Sequence, residues 1–370
     1  MSYYILPKNV NTINVHPKSS TEACNPIISY SFLYYYEKMQ QQFDEMIHGN
    51  EYLQPQDAQV EVDNIMKIMN PYEFIFSTVP GSKYAVSKLK PKSNLYYDLF
   101  EMHQTLNCLD RSKKSMKSLH ISKNHIDSIE CFEMIREGFD DEIVWKNEIN
   151  IDDFADLDKK FDFMFFEEDI SSQESYFQFI VKVMCYILKH QSYNGVVILK
   201  VGDIFHKPVL DFVYYLTSLY ERVYIAKPYT NNVLSNEKYV VCKYFKYDMV
   251  NFYLKLNYLK LIIFLKKLEN CHITEMLDID VPYFFKNKIE ELNIILGQTQ
   301  LETMDNVISL FKNKNKGDKI GQITKSNIQK SIVWCEKYKI PYNKFVDKIN
   351  IFLPSPSSPT TPTTISNNNH

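Results

Sequence analysis

Lys200 closes the apolar run Gly195-Val-Val-Ile-Leu-Lys200, and Glu237 stands further on in Ser235-Asn-Glu-Lys-Tyr239. A lysine that ends a buried strand puts its amine at the carboxyl edge of an open α/β sheet, where such sheets bind ligands. Desolvated beside other charges, that amine can have its pKa lowered far enough to take a proton from a hydroxyl. A neighbouring carboxylate would hold it in place and balance its charge. Taken alone, a lysine ending a strand is more often a snorkelling surface residue. The surroundings decide between the two.

Those surroundings read as alternating strands and helices. Ser118 to Ile121, Glu142 to Trp145, Phe161 to Phe166, the run ending at Lys200, Val223 to Ala226 and Lys238 to Phe245 have strand character. Phe161 to Phe166 is almost continuously apolar, as expected of a strand covered on both faces. Between them, Asp127 to Arg136, Tyr176 to His190 and Pro208 to Tyr220 repeat apolar residues at helical spacing. Asn94 to Leu106 is a further helix ahead of the series. This alternation predicts a mostly parallel sheet with right-handed crossovers. Residues 1 to about 30 read as an extended arm, Ser29 to Ile47 as a helix, and Glu73 to Ser77 as a short strand. Val250 to Leu268, Tyr283 to Leu310 and Lys325 to Tyr338 predict long amphipathic helices. The division expected is an arm and helix over 1–70, a sheet domain over 71–247, a helical extension over 248–353 and a low-complexity, disordered tail over 354–370.

With the order strand-Lys200, then Lys227-Pro228, then Ser235 to Tyr239, the region Phe161 to Phe245 resembles the second half of FtsJ-like ribose 2′-O-methyltransferases. The resemblance implies a Rossmann-type α/β fold that uses S-adenosylmethionine and an RNA substrate such as an mRNA cap; the helices beyond residue 248 add a helical C-terminal extension to it. It implies that Lys200 is the base or charge-stabiliser for the ribose hydroxyl and that Glu237 orients it. The family's catalytic aspartate falls at Glu167 in Phe161-Asp-Phe-Met-Phe-Phe-Glu-Glu-Asp169, with Glu168 and Asp169 where glycines are expected. Glutamate keeps the charge but reaches one methylene further, which shifts a geometry that tolerates little error. The family's first catalytic lysine falls at Asp98, on the helix Asn94 to Leu106. That exchange removes a positive charge that would help depress the pKa of Lys200.

The cofactor loop departs furthest. Aligning Lys117 to Ser122 as the strand leaves Lys123-Asn-His-Ile-Asp127 as the loop, without a glycine. Ser122, Asn124, Asp127 and Glu167 are then the expected cofactor contacts. The other placement uses Glu73 to Ser77 as the strand, with Pro80-Gly81 supplying the turn. Two readings stay open: an RNA methyltransferase, or a relative that kept the fold and serves as an RNA-binding or assembly subunit.

Bulk properties narrow the rest. The 370 residues carry a net charge of −3, so RNA contact must come from a local patch and not from a general basic excess. Lys83, Lys88, Lys90 and Lys92, interleaved with Tyr84 and Tyr96, are candidates, although a solvated surface is the plainer reading. The seven cysteines include no CxxC and read as free thiols in a reducing compartment. His120 and His125 flank the loop and read as hydrogen-bonded; Asp152, Asp153, Asp156 and Asp158 read as a solvated loop, so no metal is expected. The start lacks a secretory pattern, and lysines at 255, 260, 266 and 267 interrupt the most apolar run, so no membrane span is expected. Abundant Lys, Asn, Ile and Tyr fit an AT-rich genome. With the resemblance this suggests a large DNA virus and action in the host cytoplasm or the virion.

Overall fold

A computed structural model describes residues 1–48, 54–109, 113–150, 159–247, 251–268, 271–313 and 317–343. The acidic group at 152–158 and the tail 354–370 lie outside these residues. The core is a seven-stranded sheet of β1 (Ser2–Ile5), β3 (Lys117–Ile121), β4 (Glu142–Lys146), β5 (Phe161–Phe166), β6 (Gln191–Val201), β7 (Tyr220–Lys227) and β8 (Lys238–Phe245). Its order is β1-β7-β8-β6-β5-β3-β4. The pairings β3–β4, β3–β5 and β5–β6 are parallel, and β8 runs antiparallel to both β6 and β7. Five strands therefore point the same way, with one reversed strand slotted between two of them. This is a mainly parallel, Rossmann-type α/β sheet.

Period-two alternation explains how the sheet is covered on both sides. Met164, Phe166, Val197, Leu199, Ile225 and Val240 turn to one face, where they join α5 (Gln173–His190) and α6 (Lys207–Leu219). Phe163, Phe165, Ile198, Ala226, Tyr239 and Val241 turn to the other, where they join α3 (Leu95–Leu106) and α4 (His125–Ile135). A Ser172–Ser175 capping box starts α5, and Pro208 sits in the first turn of α6, where its missing N–H is harmless.

Described residues on both sides of the sheet segment are woven into this body. The arm expected at the N-terminus supplies β1, antiparallel to β7, and β2 (Val15–Ser20), antiparallel to β9 (His272–Leu277). Neither strand shows alternating apolar character, so period-based reading passes over them. Helix α7 (Phe252–Lys267) packs on α5, and α9 (Gly317–Lys337) packs on the segment Glu73–Ile75. That segment is a 3₁₀ turn and not the strand its composition suggests. Pro71 and Pro80 close in on either side, and the buried Glu73 carboxylate accepts from Asn70 Nδ2 at 2.9 Å and from the Ser77 hydroxyl, a local network that favours a tight turn. The Pro80-Gly81 placement of a cofactor loop therefore lacks the strand that should precede it. A third apolar cluster joins α1 (Tyr30–His48), α2 (Pro55–Met69) and the second half of α8 (Tyr283–Lys312).

Candidate functional site

Three of the sequence-derived residues converge at the carboxyl edge of the sheet. Lys200 Nζ donates to Glu167 Oε1 at 3.0 Å and lies 3.1 Å from Glu237 Oε2. Lys200 is the penultimate residue of β6, Glu167 directly follows the neighbouring β5, and Glu237 directly precedes the neighbouring β8. Strand order alone thus brings together residues far apart in sequence. Burial works to lower the pKa of Lys200, but the two carboxylates outweigh it and leave the pKa raised. The amine is an ammonium in this arrangement, opposite to what a free base needs.

Glu167 reaches across the sheet as well. Its Oε2 accepts from Ser122 Oγ at 2.6 Å, and its backbone N–H donates to the Ile121 carbonyl at 2.9 Å. The Ser122 N–H donates in turn to the Lys146 carbonyl at 3.0 Å. The ends of β4, β3 and β5 are therefore tied together where strand order reverses, the crevice in which a doubly wound sheet takes a nucleotide cofactor.

Asp98 lies elsewhere. Fully buried, it accepts from the Thr230 hydroxyl, from Asn231 Nδ2 at 2.9 Å and from Tyr239 OH at 2.9 Å. Burial pushes its pKa up to about 6 despite those three donors. Asp98 ties α3 to the 230–231 turn and to β8, and Tyr239 pairs in register with Lys200.

The cofactor contacts expected from the sequence are mostly committed to the protein. Asp127 accepts from the Lys92 N–H at 2.8 Å and from the Ser93 hydroxyl. The Asn124 N–H donates to Ser122 Oγ at 2.9 Å, and Asn124 precedes α4 without a side-chain cap. His125 stacks on Trp145 with ring centroids 4.1 Å apart. His120 is enclosed between Ser128 Oγ and Ser118 Oγ at 3.0 and 3.2 Å, where burial first, then His103 and His125, lowers its pKa to about 3.

S-adenosylmethionine carries an ammonium, a carboxylate, a ribose diol and an adenine. Its crevice must offer open carboxylate and backbone that can be approached closely, the usual task of glycine. Glu167 and Asp127 each have both oxygens engaged, and 122–127 holds no glycine. As arranged, they offer the cofactor neither a carboxylate oxygen without a partner nor a glycine backbone.

No family model matches the chain, and no curated protein matches it. Among solved structures it is similar to a probable spermidine synthase from Corynebacterium glutamicum ATCC 13032. That similarity covers 52% of this chain and 80% of the other, at 9% identity and a TM-score of 0.27. No helix among the described residues is long and apolar enough to cross a membrane, and none of their His, Cys, Asp and Glu side chains group as a metal site.

Two lysines beside this site were not singled out from the sequence as site residues. Lys227, the last residue of β7, donates to the Ser235 and Glu237 carbonyls at 2.8 and 2.6 Å. Burial first, then Lys238, brings its pKa down to about 7. Lys238, the first residue of β8, donates to the Gly202 and Asn236 carbonyls, each at 2.9 Å, and burial lowers its pKa to about 8. The sequence did flag Lys227-Pro228 as a turn, but burial at a strand end is a tertiary property.

Proposed function

We propose that this protein is a non-catalytic relative of FtsJ-like ribose 2′-O-methyltransferases that works by binding RNA. The observation that carries the reading is the hydrogen bond from Ser122 Oγ to Glu167 Oε2 across the crevice. It occupies the acid that the enzyme would need and joins the strand ends that the cofactor would part. The raised pKa of Lys200 supports the same reading, because an ammonium held by two carboxylates is no base.

RNA contact is supported by Lys83, Lys88, Lys90 and Lys92. All four are exposed and make no ion pair among the described residues. The segment ends beside α4, because the Lys92 N–H bonds Asp127. Tyr84 is exposed and available for stacking, whereas Tyr96 is buried with its hydroxyl on Met134. Phosphate contacts of this kind give salt-dependent binding without sequence preference. A large DNA virus as the source, and the host cytoplasm or virion as the setting, belong to this proposal.

The second reading is the enzyme, favoured by Lys200 lying between Glu167 and Glu237. It requires Ser122, Asn124, Asp127 and Glu167 to release their present partners and meet the cofactor. Filter binding with single-stranded RNA, run beside a labelled-methyl incorporation assay on the same RNA, separates the two. RNA retention without incorporation supports the binding subunit. Incorporation lost in Lys200→Ala supports the enzyme and overturns the first reading.

A further inference from the structure

The unused chemistry of the molecule gathers at Lys227 and Lys238. Buried cations are ordinarily paired with a carboxylate. Among the described residues neither lysine is within ion-pair distance of one; Asp98 and Glu237 act on Lys227, and Asp203 on Lys238, only through space. Each ammonium has three N–H donors and spends two on main-chain carbonyls. One donor on each is left.

Both lysines line a cavity of about 350 Å³ between the 227–238 segment and α8. Its volume falls in the range of small-ligand sites. Phe32, Phe205 and Tyr72 supply aromatic surface to its wall. Phe32 lies so close on α8 that a Cβ at Gly297 would fall 2.3 Å from its ring, so glycine there keeps the aromatic wall in place. Asn231 also lines the cavity and is 3% exposed. Its Nδ2 is fixed on Asp98, while its Oδ1 is buried with no partner among the described residues. An acceptor left in that state costs free energy until a donor reaches it.

We propose that this cavity binds a nucleoside monophosphate unit, with the phosphate on Lys227 and Lys238 and the base against the aromatic wall. Two lysine amines, neither in an ion pair among the described residues, match a dianionic phosphate better than a carboxylate, and Glu237 on the same wall is already held by Lys200. Flat aromatic faces on the wall suit the face of a heterocyclic base. The unit is either a free nucleotide or one nucleotide of an RNA chain. The inference goes beyond the RNA-binding reading and does not need it, because the lysines at 83–92 are not part of this cavity.

Calorimetric titration of the full chain tests it, with the four nucleoside 5′-monophosphates, the corresponding nucleosides, inorganic phosphate and a 5′-phosphorylated single-stranded RNA heptamer. At least one monophosphate binds at one site per chain, and its nucleoside and inorganic phosphate each bind at least about tenfold more weakly. Lys238→Met weakens the monophosphate at least about tenfold. Thr299→Trp, which fills the mouth from an exposed position on α8 and leaves both lysines intact, does the same and carries the test alone if the first variant does not fold. A heptamer at least about tenfold tighter than the monophosphate, and weakened at least about tenfold by Thr299→Trp, assigns the site to RNA; a heptamer that Thr299→Trp leaves unchanged, beside a monophosphate that it weakens, assigns the site to a free nucleotide. Binding of neither monophosphate nor heptamer to the folded protein overturns the proposal, as does binding that Thr299→Trp leaves unchanged. The crevice at Ser122 is probed by a different ligand, so either reading can fail without the other.

Discussion

Ser122 and Glu167 meet across the point where the sheet reverses its strand order, 2.6 Å apart, and Glu167 passes the contact on to Lys200 at 3.0 Å. The serine hydroxyl, the glutamate and the ammonium form one polar chain from β3 to β6, closed at its far end by Glu237. Replacing Lys200 with Met leaves the nearly buried Glu167 without its cation. The expected cost is about 1–3 kcal/mol in a urea melt at pH 7. A variant as stable as the parent would mean that the pair contributes nothing to the fold.

Asp98 makes stability depend on pH in a definite direction. Its folded pKa of about 6 lies above the 3.8 of an ordinary aspartate, so the native state holds this proton more tightly than the unfolded chain. This contribution is greatest below about pH 4 and is lost as pH rises through 6. The change is about 3 kcal/mol. In Asp98→Asn that slope between pH 4 and 6 should vanish, while the variant loses stability overall because an amide cannot accept from all three of its neighbours. Parallel melts of the two proteins across this range decide it, and identical slopes would assign the titration elsewhere.

The lysines at 83, 88 and 90 should govern RNA affinity without governing the fold. Their combined reversal to Glu is expected to weaken single-stranded RNA at least about tenfold at low salt and to reduce the slope of log K against log salt by about 2. The melting temperature should stay within about 2 °C, because exposed substitutions away from packing change stability little. Unchanged affinity would remove these residues from the RNA surface.

Gly195 is fixed by crowding. A Cβ there would lie 1.9 Å from Gln191 Nε2 and 2.8 Å from the Ser192 carbonyl oxygen. That amide is held by the Phe161 carbonyl at 2.9 Å, and Tyr220 OH donates to the other end of the same side chain. Gly195→Ala should therefore destabilise by about 2–4 kcal/mol, read from the denaturant midpoint at constant m. A midpoint within error of the parent would show that Gln191 can move freely.

Much of the fold could be read from the chain, for identifiable reasons. Five strands and the intervening helices are buried on two faces, so their apolar runs and helical spacing carry the signal, as in Phe161 to Phe166 and α5. The strands β1, β2 and β9 are short, and their buried positions, such as Val15, Ile273 and Met276, do not alternate regularly, so a period-two pattern does not mark them. Helix α2 begins at Pro55 and is rich in charged and amide residues, so its three buried positions leave a faint trace. At the site, Lys200, Glu167 and Glu237 could be brought together from sequence because strand ends in a parallel sheet share an edge. What could not be read is where each hydrogen bond goes. Nothing in the sequence near Ser122 says that its hydroxyl would take Glu167, or that Lys227 and Lys238 would line one cavity with neither in an ion pair among the described residues.

Calorimetric titration of the folded wild-type chain with S-adenosylmethionine tests the central claim most directly, with a melt confirming that the protein is native. The closed Ser122–Glu167 crevice predicts no saturable heat at millimolar cofactor while the same sample still binds single-stranded RNA. One-to-one binding at micromolar cofactor would contradict it and return Lys200, Glu167 and Glu237 to a catalytic role.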